Sequence, residues 1–476
     1  MCDSPPLTSD ESLVLSKDLV TDIYFDSTLS MQGFVQDNGN SYYQQTIAAL
    51  ERPIISSGGQ VNFFEFGSET DDSKIENSSN KESSSKTNIK PLPDRSYREA
   101  NKKSFYADPK KKTFIHNVLD SANKSHLNIV ITDLFQDQTD IDLLSKQIGK
   151  NFIKQGQAVG VFGIKSQFQG KIYDVGRNNY SFDYINGEDI KTYRPFYILA
   201  FGQHSDIADY FSKLANTEIA SNSEKHIIIF SKFLANKNIP ISQTETLDIR
   251  GLNEVDGVFV SESKNNPNFK EFNIIKNVND NFYKTTLPFD SLPYIANFTQ
   301  ITPFITNCQC QNNKGAQNDS NANNTNENIR NDLQISDAIT IDLTSNNDPE
   351  NGSAMGNNGN SNVGSNTQTL NIENNEKEDS SNTYKINLTA KILPEKIEAN
   401  SVNCFHVVLR PEKYSLPKWI SEWNLTDGEI ENWNRDKNPV KGKTYNLAPF
   451  LQTILNSTIE EHKPKITDFY FYVKQN

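Results

Sequence analysis

Five apolar runs of strand length, separated by helix-length amphipathic segments and polar loops, limit what the first half of this chain can form. They are Leu19 to Phe25, Val61 to Phe66, Leu127 to Thr132, Ala158 to Ile164 and Pro195 to Phe201. Between them, Tyr42 to Leu50, a stretch opening at Thr113, Asp140 to Ile153 and Ser205 to Leu214 place apolar residues at helical spacing. Strands apolar on both sides must be buried on both faces. Alternation with helices therefore predicts an α/β fold with a doubly wound, mostly parallel sheet.

The remaining sequence has a different character. Ile227 to Phe230, Gly257 to Val260 and Phe272 to Ile275 are short strand-like runs, and Tyr384 to Ala390 and Cys404 to Leu409 alternate at period two. Residues 225–310 and 382–476 thus read as a β-rich accessory domain. Residues 311–381 between them are dominated by Asn, Ser, Gly and Asp, too polar to pack, and read as a disordered low-complexity insert with one strand-like island at Ala338 to Leu343. The same reasoning makes residues 1–16 a flexible N-terminal tether, 17–216 the α/β domain, and about 68–104 a flexible loop within it.

The net charge of −13 argues against duplex DNA or an anionic membrane surface as partner. Lys110-Lys111-Lys112 reads as a solvated turn rather than a nucleic-acid patch. No stretch approaches the roughly 18 consecutive apolar residues of a membrane span. Of the four cysteines, Cys2 precedes an acidic, Ser/Pro-rich spacer. That start resembles a mature bacterial lipoprotein with Met1 in place of its signal peptide, which would make Cys2 a lipidation site and the cell envelope the location. The alternative is a cytoplasmic protein whose N-terminus happens to hold a cysteine. Cys308, Cys310 and Cys404 lack the well-spaced His partners of a structural zinc site; in an oxidising compartment one of the first two would pair with Cys404. His116 reads as a surface helix residue, and Trp419, Trp423 and Trp433 as packing for the β-rich region.

In an open α/β sheet, ligands bind beyond the carboxyl ends of the strands. The first strand runs into Asp26-Ser27-Thr28-Leu29-Ser30-Met31, the run Leu127 to Thr132 ends at Asp133, and Thr113 opens an intervening helix. Two carboxylates and three hydroxyls would then share one crevice, a set of hard oxygen ligands suited to Mg²⁺, Mn²⁺ or Ca²⁺. The Asp26 to Met31 segment resembles the Asp-x-Ser-x-Ser-Met motif of the metal-ion-dependent adhesion site in von Willebrand factor A domains, with Thr28 for the first Ser. Phe64 to Gly67 and Ile131 to Asp133 resemble the second- and fourth-strand endings of that family. Leu134 stands where the family has Gly, and lysines stand where it has small residues before Thr113.

The resemblance covers residues 17–216. It implies that Thr28 and Ser30 bind the ion directly, Asp26 and Asp133 largely through water, and Thr113 by either route. It also implies that an acidic side chain of a partner protein fills the open position. The function expected is a non-enzymatic, cation-dependent protein-binding module; the alternative is a metal-independent scaffold component of a larger assembly. An enzyme using Asp26 as a phosphatase-type nucleophile would need a second carboxylate at position 28, where Thr28 stands.

Overall fold

The chain is seen here as a computed structural model, which describes residues 14–69, 89–93, 96–108, 111–134, 138–175, 180–217, 223–234, 258–263, 266–274, 281–290, 292, 294–307, 338–345, 370–371, 383–397, 402–436 and 440–475. Seven strands form the first sheet: β1 (Val20–Asp26), β2 (Gln60–Phe66), β3 (Ile89–Leu92), β4 (Leu127–Thr132), β5 (Ala158–Ser166), β6 (Arg194–Gly202) and β7 (Lys225–Phe230). Their order across the sheet is β7-β5-β6-β4-β1-β2-β3.

The sheet is mixed, which departs from the mostly parallel arrangement expected. β1 pairs in parallel with β2 and β4, but β6 is antiparallel to both β4 and β5, β7 is antiparallel to β5, and β3 to β2. The cause lies between β5 and β6. A parallel neighbour needs a crossover that carries the chain back along the sheet, usually a helix. Here the link is a hairpin, Gln169–Val175 paired with Tyr180–Ile185, and a short 3-10 turn, Ile190–Thr192. The chain therefore re-enters the sheet at the end it left, with Arg194 opposite Ser166.

Both faces are covered. One packs α4 (His204–Ala215), through Ile207, Tyr210, Phe211 and Leu214, beside Ile47 of α1 (Tyr42–Ala49) and Phe168 and Ile172 at the hairpin. The other packs α2 (Ile115–Ser121), α3 (Gln138–Asn151), α5 (Lys418–Trp423) and α7 (Leu447–His462) against Tyr24, Val130, Val161 and Tyr197. α6 (Asp427–Asp436) contributes Ile430 and Trp433 to the first face. The three tryptophans are buried as expected of packing residues, but against the seven-stranded sheet rather than the β-rich region. β7, grouped in the sequence with the β-rich region, is an outer strand of this sheet.

Part of the stretch expected to be a flexible loop is folded. Ile89–Leu92 adds an edge strand, whose position tolerates Pro91. The 3-10 turns Ser96–Asn101 and Lys103–Tyr106 follow, with Ala100 and Tyr106 fully buried. A few well-spaced apolar anchors suffice to dock a polar segment.

The second region consists of two smaller, largely antiparallel sheets. One has six strands in the order Val258–Ser263, Asn266–Ile274, Thr467–Gln475, Val402–Pro411, Gln300–Asn307 and Leu370–Asn371; the other sets Thr383–Ile392 between Asn281–Asp290 and Ile339–Ser345. Ile301, Ile305, Ile341, Leu343, Leu388, Phe405 and Val407 form one core between them. The strand-like island of the Asn-rich segment is thus a paired strand, and most of the rest of that segment lies outside the described residues. Cys404 is disulfide-bonded. Cys2, Cys308 and Cys310 lie outside the described residues. Among the described residues no helix is long and apolar enough to cross a membrane.

Candidate cation site at the sheet edge

β1 ends at Asp26, and the backbone N–H of Ser27 donates to the carbonyl of Phe66 at 2.9 Å, which holds the next turn against the end of β2. The chain then folds over Asp26. Its Oδ1 accepts from the Thr28 hydroxyl at 2.7 Å and from the Thr28 N–H at 3.2 Å. Its Oδ2 accepts from the hydroxyls of Thr132 at 2.9 Å and Thr113 at 3.1 Å. The Thr28 hydroxyl also lies 3.1 Å from that of Ser30 and 3.0 Å from that of Thr113. Three separate loops, after β1, before α2 and at the end of β4, thereby bring Asp26, Thr28, Ser30 and Thr113 into one oxygen cluster, with Thr132 as a member that motif spacing alone did not single out. Asp26 and Thr28 are buried, whereas Ser30 and Thr113 are half-buried and form the solvent side.

Asp133 is buried beside this cluster, and its charge acts on Asp26. Burial first, and the neighbouring Asp133 second, push the Asp26 carboxyl up to about 7, against the pull of its hydroxyl donors. Asp133 itself is engaged by a residue that the sequence reading missed. The Arg194 Nη2 donates to its Oδ2 at 2.6 Å, with both side chains almost fully buried. The guanidinium lies over the rings of Phe168, 4.7 Å from the centroid, and Phe34, at 5.9 Å. Two signals pointed to Arg194. It is a charge set directly before the apolar run Pro195 to Phe201, and the segment between that run and the preceding strand has no apolar pattern at helical spacing.

Lys111 also departs from expectation. It pairs with Glu69 in a two-residue ladder, and its ammonium donates to the Ser27 hydroxyl at 2.9 Å, so it belongs to the rim of the site rather than to a solvated turn. Leu134 takes φ +52°, the left-handed region that favours glycine, and its N–H donates to the Thr132 hydroxyl at 3.3 Å. His116 is half-buried beside the Phe114 ring, and Cys2 lies outside the described residues.

The donor set can be compared with what a hard cation requires. With metal–oxygen bonds of about 2.0–2.1 Å, neighbouring ligands of an octahedron stand about 2.9 Å apart. The contacts among Asp26, Thr28, Ser30 and Thr113 span 2.7–3.3 Å. These are the lengths of ordinary hydrogen bonds as well as of octahedral edges, so it is the chemistry of the set, one carboxylate and three hydroxyls, that suits a hard cation. Among the described residues no group of three or more His, Cys, Asp or Glu side chains could hold a metal, so any cation here depends on hydroxyl oxygens. No family model, curated protein or solved structure matches this chain.

Proposed function

We propose that this chain is a non-enzymatic protein-binding module whose oxygen cluster holds Mg²⁺, or Mn²⁺ or Ca²⁺, and offers it to an acidic side chain of a partner protein. The observation that carries this reading is the convergence of Asp26, Thr28, Ser30 and Thr113 within hydrogen-bonding distance of one another. The electrostatics support it. Asp26 is a buried carboxylate beside a second one, and a divalent cation relieves both its desolvation and the repulsion. The von Willebrand factor A resemblance gains support at one of its departures, because Leu134 adopts the backbone conformation for which glycine is the usual choice.

Titration calorimetry of chelator-treated protein with Mg²⁺ or Mn²⁺, beside Asp26→Ala, tests the proposal. A binding heat in the wild type that is absent from the variant is expected. Equal heats in the two proteins would remove the cation from the account.

A second reading is favoured by the Arg194–Asp133 pair. One carboxylate already has a counter-ion and the other has four donors, as a metal-independent scaffold would require. Capture of the same partner from the native host with and without chelator separates the two, since only the cation-dependent module loses its partner.

A further inference from the structure

The reversal of β6 brings a fixed positive charge to the place where the cation reading puts a mobile one. Arg194 is the first residue of β6, opposite the last residue of β5, and it reaches Asp133 only because β6 begins at the carboxyl ends of β1 and β4. Its seat is built. The guanidinium stacks on Phe168, whose own N–H donates to the Asn186 side chain at 2.7 Å, and the Tyr184 hydroxyl donates to the carbonyl of Thr192, two residues before Arg194, at 2.6 Å. Gly33, in the turn that follows Ser30, lies so close to the Phe168 ring that a Cβ there would sit 2.4 Å from it. The loop carrying Thr28 and Ser30 and the seat of Arg194 are thus packed together.

We infer that Arg194 is a built-in counter-ion that competes with a divalent cation for Asp133 and thereby sets the cation affinity of the Asp26 cluster. This rests on the cation reading above. The physical basis is direct. A guanidinium beside the cluster repels an incoming cation and neutralises the second carboxylate, which would otherwise attract it. Taking away the guanidinium removes the buried ion pair at Asp133, and breaking a buried pair destabilises a fold strongly unless another cation takes the place of the lost charge. Arg194 acts here as a positioning and specificity-determining residue rather than as a ligand.

Two measurements on the full chain test this: Mn²⁺ affinity by electron paramagnetic resonance, and thermal unfolding with and without Mn²⁺. Both are made for the wild type, Arg194→Met and Arg194→Gln. Each variant is expected to bind Mn²⁺ at least about tenfold more tightly than the wild type, and to regain with Mn²⁺ the thermal stability it lacks in chelator. Arg194→Gln can still donate to Asp133, so it carries the test if Arg194→Met does not fold. Equal Mn²⁺ affinities in the wild type and Arg194→Gln overturn the competition while leaving the cation site standing. Absence of Mn²⁺ binding in all three proteins overturns both.

Discussion

The two halves of the seven-stranded sheet were built by different rules. On one side, β2, β1 and β4 are parallel, joined by segments that cross back over a face, so their carboxyl ends align at one edge. On the other, β6, β5 and β7 are antiparallel neighbours, so strand beginnings and endings alternate along that same edge. The parallel half supplies acids and hydroxyls: Asp26, Thr132 and Asp133. The antiparallel half supplies Arg194. Strand direction decides the charge balance of the site, because a residue at the head of a strand changes ends when the strand turns round.

The largest effect that could break this contrast lies under the antiparallel half. Trp423 of α5 packs on the Tyr197 ring of β6, lies beneath the Lys165 ammonium of β5, and donates its indole N–H to Glu224 at 3.0 Å. Trp423→Ala is expected to reduce the free energy of unfolding by about 3–5 kcal/mol in denaturant titrations. A loss below about 1 kcal/mol would show that the C-terminal helices do not share in the cover of this half.

The next effect belongs to the parallel half and depends on pH. Folded Asp26 holds its proton up to about 7, whereas the unfolded side chain releases it near 3.8. The stability that this proton affinity contributes is present below the lower value and is lost as pH rises towards the upper one. Asp26→Asn removes the dependence. In chelator, the stability difference between wild type and variant should change by about 2–4 kcal/mol across that window, with the variant gaining as pH rises. Mg²⁺ should shrink the difference if the cluster takes the ion. A pH-independent difference would mean that Asp26 is not held in the environment described.

The smallest effect sharpens the contrast where the halves are stitched. The first turn of α1, which follows β1, is fastened to the end of β5: the N–H of Tyr43 donates to the Ser166 hydroxyl, and that of Tyr42 to the Gln167 side chain, both at 2.9 Å. Ser41 caps that turn in a reciprocal pair with Gln44 and donates to the Phe34 carbonyl at 2.6 Å. Ser41→Ala is expected to lower stability by about 1–2 kcal/mol. Amide exchange of Tyr42 and Tyr43 should report it first, before the strands open.

Much of the parallel half was legible in the sequence. Leu127 to Thr132 and Val61 to Phe66 are strands at the positions read, and the loop after β1 and the helix opening at Thr113 meet at Asp26. These signals are local: apolar periodicity, strand length and a terminal carboxylate. The antiparallel half was misread because nothing within Pro195 to Phe201 records its direction. That information lies in the preceding connection, where Phe168 and Tyr184 pack a hairpin onto the sheet instead of a crossover helix. Arg194 was missed for the same reason. The tryptophans read as buried packing residues, but their sequence does not name their neighbours, since a packing residue carries no address for a surface that lies roughly two hundred positions away in the chain.

The order in which the chain visits its two regions has a practical consequence. After the strands that end at Pro411, the backbone returns to cover the first sheet with α5, α6 and α7, and then sets Thr467–Gln475 between two strands of the other region, parallel to one and antiparallel to its neighbour. No single cleavage point yields two self-sufficient fragments: a stop codon before position 418 strips helices from the α/β layer, and one before 467 opens a gap inside the six-stranded sheet. A recombinant piece comprising only the first 234 residues would expose the apolar surface that Trp419, Trp423, Phe450 and Leu451 now occupy, and should be recovered as aggregate.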